Sequence, residues 1–255
     1  MSKRALVNPV RKDGALTPHF CRELKLSNGV KELTRDEITL DAVKQHPRVK
    51  VYIEKANEHL NGIGYTEHGY RHAGLVAEIA FNILERLGYQ RRYCIAASIA
   101  GYLHDMGNLL GRDNHWQSGA ILAKDILIDV GMNIEDVAVI MNAIANHEEG
   151  VGEPTTPIAA ALILADKADV HVSRVRNPDM KTFDIHDRVN YAVKHSFLRV
   201  DAENKKISLE LTIDTAVSQV MEYFEIFLSR MIISRRAAQS LGCTYELIVN
   251  EVKLL

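Results

Sequence analysis

His104 and Asp105 stand side by side in the apolar run IAASIAGYLHDMGNLLG, where a core helix would otherwise carry Leu and Ala. Imidazole nitrogen and carboxylate oxygen are both strong ligands for a transition metal. A His-Asp dipeptide alone is a weak signal, and its company strengthens it. His72 lies in RHAGLVAEIA, His115 in NHWQSGAIL, His147 in NHEEG and Asp166 in LILADKAD, each beside an apolar helical stripe. Such residues converge when helices pack face to face and project side chains into one pocket, with about one ligand set per helix. Nitrogen and carboxylate donors without cysteine favour Fe, Mn or Zn. An Asp next to a His can bridge two ions, and two ions a few ångströms apart suit hydrolysis of phosphate esters.

The elements that must position these residues read as helices. Apolar positions from Glu67 to Gly88 recur at three and four, giving one amphipathic helix that carries His68 and His72 on one face. Further helices are expected over about 90–107, 115–130, 134–146 and 157–175, with short ones over 35–45 and 47–60. Thr34 and Glu37 fit a capping box, and residues 1 to about 32 read as an extended arm. After about residue 180 the pattern changes. Ile207–Ile213 alternates apolar and polar, with FLRV and the turn Asp201–Lys206 before it, which predicts a hairpin. Asp214 is expected to cap a long helix whose Val217, Val220, Met221, Phe224, Phe227, Leu228 and Met231 face one way. A short strand, YELIVN, follows Gly242. The fold class is mainly α: an arm with short helices over 1–60, a helical metal-binding domain over 61–184, and an α+β appendage over 185–255. The aromatic stripe of the long helix reads as core; a homodimer surface and a cofactor pocket are the alternatives.

Composition bounds the partners. The 255 residues are 47% hydrophobic, enough for a sizeable core, and a net charge of -2 gives no overall case for a nucleic acid polymer or an anionic membrane. The natural partner is a small molecule. Cys21, Cys94 and Cys243 form no CxxC pair and suit a reducing compartment as packing residues. The amino terminus lacks an apolar signal core, and PIAAALILA is too short to span a bilayer, so a soluble cytoplasmic protein is expected.

His72, His104-Asp105 and Asp166 resemble the H…HD…D pattern of the HD-domain metal-dependent phosphohydrolases, over roughly residues 65–176. His115-Trp-Gln-Ser-Gly-Ala-Ile-Leu122 looks like the HPxxGxxIL element of the HD-GYP branch, and His147-Glu-Glu-Gly-Val-Gly-Glu-Pro154 like a shortened HHExxDGxGYP. The resemblance implies a first ion on His72, His104, Asp105 and Asp166, and a second on Asp105, His115 and His147. Asn108, Asn146 and Glu153 depart from that branch, standing where it has Lys, His and Tyr, which argues against cyclic di-GMP. His68 matches a position where some members place a third-metal Glu; it is a ligand, a residue behind the ligands or a substrate contact. Arg174 and Arg176 follow the acidic element, where relatives carry an arginine that meets phosphate.

The activity this implies is hydrolysis of a phosphomonoester, nucleotide or small phosphodiester through a metal-activated water at a binuclear site, with Asp105 or Glu148 managing the proton. The alternatives are a di-iron HD-type oxygenase, separable by oxygen uptake, and a non-catalytic nucleotide-sensing module.

Overall fold

The computed structural model describes residues 38–254. The expected arm over 1–32, the capping box at Thr34 and Glu37, and Cys21 lie outside them. Nine α-helices occur among the described residues: α1 (Leu40–Lys44), α2 (Pro47–Gly62), α3 (Tyr70–Arg86), α4 (Arg91–Leu103), α5 (His115–Asp129), α6 (Ile134–Ala145), α7 (Pro157–Lys167), α8 (Ile185–Ala192) and α9 (Val220–Ser240). A four-stranded sheet follows α8, built from β1 (Val193–Asp201), β2 (Lys206–Ile213), β3 (Thr244–Val249) and β4 (Val252–Lys253). The mainly helical fold with a small carboxy-terminal sheet is the one expected from the sequence.

The centre of the helical layer is α7. Every residue from Ile158 to Lys167 is buried, so this helix has no solvent face and packs against α3, α4, α6 and α9. Its start is fixed locally: Thr156 accepts a hydrogen bond from the Ala159 amide, and Pro157 occupies the first helical position. Asp166 therefore emerges at the end of a rigid, fully enclosed helix. Small residues set the spacing between α3 and α4. A Cβ on Gly101 would lie 3.0 Å from Ala77 backbone atoms, and this close approach brings His72 and His104 face to face.

The sheet runs in the order β1-β2-β3-β4. β1 and β2 pair antiparallel as the expected hairpin, with Lys205 in the left-handed region at its turn. β3 returns parallel to β2 through α9, and β4 closes the edge antiparallel. One hydrophobic core extends from Val43 through Ile163 to Phe227 and Val249. Burying a side chain such as Phe227 contributes roughly 1.5–3 kcal/mol.

Several element boundaries differ from expectation. α3 begins at Tyr70, because the Glu67 carboxylate takes the Gly69 amide at 2.6 Å and the Asn57 side chain takes the His68 amide at 3.1 Å. His68 thus lies in the preceding loop, not on the helix with His72. The helix expected over 90–107 ends at Leu103, and His104–Leu109 continues as a 3₁₀ turn. α7 ends at Lys167 rather than near 175. The helix α8 was not anticipated. Asp214 caps no long helix; its carboxylate accepts from the Ala216 amide in a turn, and Gln219 with Glu222 forms the capping box of α9. The buried face of α9 carries Tyr223, Phe227, Met231, Ala237 and Ala238, whereas Met221 and Leu228 are exposed. Of the expected stripe, Phe227 and Met231 lie in the core and Val217, Val220 and Phe224 pack against it, so only Met221 and Leu228 depart from it.

No helix among the described residues is long and apolar enough to cross a membrane.

Candidate metal centre

Six side chains converge where α3, the 3₁₀ turn, α5, the loop after α6 and the end of α7 meet. His72 Nε2 lies 3.3 Å from His104 Nε2, 3.5 Å from Asp105 Oδ2 and 3.3 Å from Asp166 Oδ1. His104 Nε2 lies 3.3 Å from Asp105 Oδ2 and 3.6 Å from Asp166 Oδ1. On the other side of Asp105, Oδ1 is 3.5 Å from His115 Nε2, which is 3.2 Å from His147 Nε2. Donors held about 2.1 Å from one ion sit roughly 3.0–3.6 Å from each other, so these separations fit residues that could hold a metal ion. Glu148 joins the second group, with Oε2 3.7 Å from His115 Nε2.

The opposite ring nitrogens decide which atoms are free to bind. His104 Nδ1 is 2.8 Å from the Gly101 carbonyl, His115 Nδ1 is 3.0 Å from that of Arg112, and His147 Nδ1 is 2.6 Å from that of Ile144. A carbonyl only accepts, so each Nδ1 carries the hydrogen and each Nε2 presents its lone pair to the cluster. His72 does the same through Asp169 Oδ2, 2.6 Å from its Nδ1. Carboxylate and carbonyl partners of this kind orient metal-binding imidazoles and raise their basicity. The donor set fits divalent Fe, Mn or Zn by its chemistry.

Electrostatics favour a cation here. Burial holds His115 down at about 4 and His147 well below its ordinary value, so both are neutral at pH 7. Against burial, His104 holds Asp105 well below the usual carboxylate range, and Lys167 does the same for Asp166. Burial also opposes a charge on His104, but Asp105 and Asp166 prevail and push it up to about 10. In the metal-free cluster a proton on His104 supplies the positive charge that a metal ion would bring.

The 3₁₀ turn is pressed onto α5. A Cβ on Gly107 would overlap the His115 carbonyl oxygen, and one on Gly119 would come within 2.9 Å of the His104 carbonyl oxygen. Both close approaches need glycine, and together they hold His104-Asp105 against His115. Asn108 donates from Nδ2 to Asp105 Oδ1 at 2.9 Å, fixing the carboxylate between the two groups. Asn146 does not face the cluster. Its amide bonds the Asn142 carbonyl at 2.9 Å and the Glu153 amide at 3.3 Å, so it does not replace the histidine that the HD-GYP branch carries there.

Of the three residues expected to meet substrate, His68 and Arg174 line a cavity beside the cluster while bonded to protein groups, and Arg176 does not line it. His68 uses both ring nitrogens, Nδ1 on the Thr66 carbonyl at 2.7 Å and Nε2 on Arg174 Nη2 at 2.9 Å, leaving neither for a third ion or a ligand. Arg174 is buried and bonds the carbonyls of Asp169 and Glu67 as well as His68, so it braces the loop before α3. Arg176 bonds Asn57. Asp169 anchors this support, receiving Arg71 through paired bonds of 3.2 and 2.8 Å.

The cavity, of about 420 Å³, borders the cluster at Glu148, walled by the loop at Tyr65, by Arg112, and by His186, Phe227 and Arg230 of α8 and α9. The carboxy-terminal segment therefore forms one side of it. A larger groove of about 590 Å³ runs between α3 and β1; none of the six converging side chains lines either space, and only the smaller one is lined by Glu148, which lies 3.7 Å from His115. The smaller cavity is the relevant one because His68 and Glu148 open onto it. Arg112 and Arg230 were not singled out from the sequence. The signal for Arg112 is its place three residues before His115; Arg230 gives none, because its position depends on tertiary packing.

Residues 69–171 match the family model of the HD domain, and the chain carries an HD domain over that segment. Beyond the domain, the chain is 26% identical over 225 residues to an uncharacterized protein of Methanocaldococcus jannaschii, covering 78% of this chain and 84% of that one. Among solved structures it is similar to a predicted HD superfamily hydrolase from an uncultured Thermotogales bacterium. That match has 21% identity, covers 77% of this chain and 88% of the other, and has a TM-score of 0.40.

Proposed function

We propose that this protein is a metal-dependent phosphohydrolase with a binuclear centre acting on a small phosphorylated substrate. The observation that supports this best is the division of Asp105: Oδ2 belongs with His72, His104 and Asp166, and Oδ1 with His115 and His147, beside an arginine-lined cavity. Two divalent ions held there would lower the pKa of a water and offset charge on phosphoryl oxygens.

The proton of that water falls to Glu148 rather than Asp105. Both Asp105 oxygens are engaged and its carboxyl is held in its ionised form. Burial pushes the Glu148 carboxyl up, against the pull of Lys167 and Arg112, which suits a proton acceptor at the edge of the cluster. In the reaction the water oxygen bonds to phosphorus and the ester P–O bond breaks. The water's proton passes by way of Glu148 to the released alcohol, leaving inorganic phosphate when the substrate is a monoester. Asp105, His72, His104, Asp166, His115 and His147 act as ligands, supported by Asp169 and Asn108.

The test is release of phosphate or alcohol from a panel of phosphomonoesters, diesters and nucleotides under Mn, Fe or Zn, with a chelator control. Turnover that appears with metal, vanishes on chelation and falls by about 10²–10⁴-fold in Glu148→Gln supports the reading. Absence of turnover across the panel, with substrate-dependent oxygen consumption by iron-loaded protein, would move the assignment to an oxygenase.

A further inference from the structure

Glu148 and Glu149 follow His147 directly, and each holds one arginine at the cavity wall. Arg112 Nη2 lies 3.4 Å from Glu148 Oε1, and Arg230 Nε lies 2.8 Å from Glu149 Oε1. The two arginines come from separate elements, the turn before α5 and the middle of α9, and both line the cavity. Their side chains remain 27% and 25% exposed, whereas that of Arg174 is 3% exposed, so a ligand can reach the first two and not the third.

Each guanidinium is also held flat. Arg112 Nη1 is 3.2 Å from His115 Nε2 and 3.5 Å from Nδ1, nearly equidistant, which places it over the ring face and not on the in-plane lone pair. The Tyr65 ring lies 5.5 Å from its guanidinium carbon. Arg230 lies 4.3 Å over the Phe227 ring, and the carboxylate that holds its Nε leaves its two amino nitrogens for a ligand. Guanidinium groups ordered by stacking lose little freedom when they bind a phosphoryl group bidentately.

Glu149 ties this arrangement to the metal cluster. Its Oε1 is 3.4 Å from Lys167 Nζ, which in turn pairs with Asp166. Arg230 therefore stands on the side of the Asp166 group and Arg112 on the side of the His115 group. A phosphoryl group spanning the two ion sets would have one arginine at each flank.

We propose that Arg112 and Arg230 form a two-armed clamp that selects a phosphomonoester over a phosphodiester, a claim that rests on the hydrolase reading above. The selection follows from counting oxygens. A diester has two non-bridging oxygens, and two ions engage both; a monoester keeps a third, with an extra negative charge, for the guanidinium groups. Asp184 and Asp187 line the same cavity and repel further phosphate groups, so the remainder of the substrate is neutral and rich in hydrogen-bond donors such as hydroxyls.

The experiment compares 4-nitrophenyl phosphate with bis(4-nitrophenyl) phosphate, which share a leaving group, on metal-loaded wild type, Arg112→Met, Arg112→Lys and Arg230→Met. Binding of inorganic phosphate is measured on the same samples by calorimetry. The clamp predicts that wild type prefers the monoester. Each Met variant should raise the monoester KM and weaken phosphate binding by about 10–100-fold, and should lower the ratio of monoester to diester turnover. Arg112→Lys keeps the charge but not the fork and should fall between, with bound metal as in wild type. Hydrolysis with diester preference, or phosphate binding unaltered in both Met variants, overturns the clamp while leaving the hydrolase reading in place. Arginine-dependent phosphate binding without any turnover would show that the two arginines bind phosphate but would overturn the hydrolase reading and, with it, the selection of a monoester substrate.

Discussion

Asp169 Oδ2 lies 2.6 Å from His72 Nδ1, and the same carboxylate receives two bonds from Arg71. One buried acid thus orients a metal-binding imidazole and neutralises the cations behind it. Burial opposes its ionisation, yet Arg174, His72 and Arg71 hold its carboxyl well below the ordinary range. A carboxyl with a depressed folded-state pKa contributes stability above its unfolded pKa of about 3.9, and that stability is lost as pH falls through the folded value. Asp169→Asn should therefore destabilise the protein by about 3–5 kcal/mol at pH 7, because it leaves the buried Arg174 without its carboxylate, whereas Arg71 keeps Glu67. The difference from wild type should shrink below about pH 4. Urea unfolding at several pH values checks this, and a pH-independent difference would show that charge is not the cause. Metal affinity should fall about 10–100-fold in the same variant.

Gly107→Ala should damage the second ligand group more than the first, because the added methyl meets the His115 carbonyl on α5. Overpacking of this kind costs roughly 1–3 kcal/mol. Chemical denaturation reads the stability, and titration with Mn reads the sites. A variant that binds metal as wild type does would show that the turn can shift without moving His115.

Lys167 is buried and pairs with Asp166 and Glu149. Replacing it with Met leaves the buried Asp166 without Lys167, while Glu149 keeps Arg230, and should lower stability by about 3–5 kcal/mol in the metal-free protein. Saturating metal should restore part of this loss, since an ion at Asp166 supplies positive charge there. Melting temperatures with and without metal measure the effect; equal losses in both states would argue against coupling between Lys167 and the cluster.

The cluster was legible in the sequence because its ligand types are rare in apolar helical runs and each ligand set sits on or beside a separate helix. The order His72, His104-Asp105, His115, His147, Asp166 carried over without change. The breaks between helices were less legible. Apolar periodicity continues through His104–Leu109, but the contact of Gly107 with α5 turns that stretch into a 3₁₀ segment. At α9, Asp214 offers a good cap by type, while the chain uses Gln219 and Glu222. Arginine roles were the least legible. Arg174 and Arg176 follow the acidic element in sequence and bond the loop before α3 and Asn57, Arg174 also lining the cavity, whereas Arg112 and Arg230 reach the cavity through tertiary contacts that local sequence does not encode.

Metal stoichiometry tests the shared role of Asp105 most directly. Wild type, Asp105→Ala and His115→Ala are saturated with Mn or Zn, freed of excess ion and analysed for metal per chain. Two ions in wild type, about one in His115→Ala and loss of both in Asp105→Ala are the predicted results. A wild-type protein that never exceeds one ion per chain, or an Asp105→Ala variant that retains both, would contradict the binuclear account.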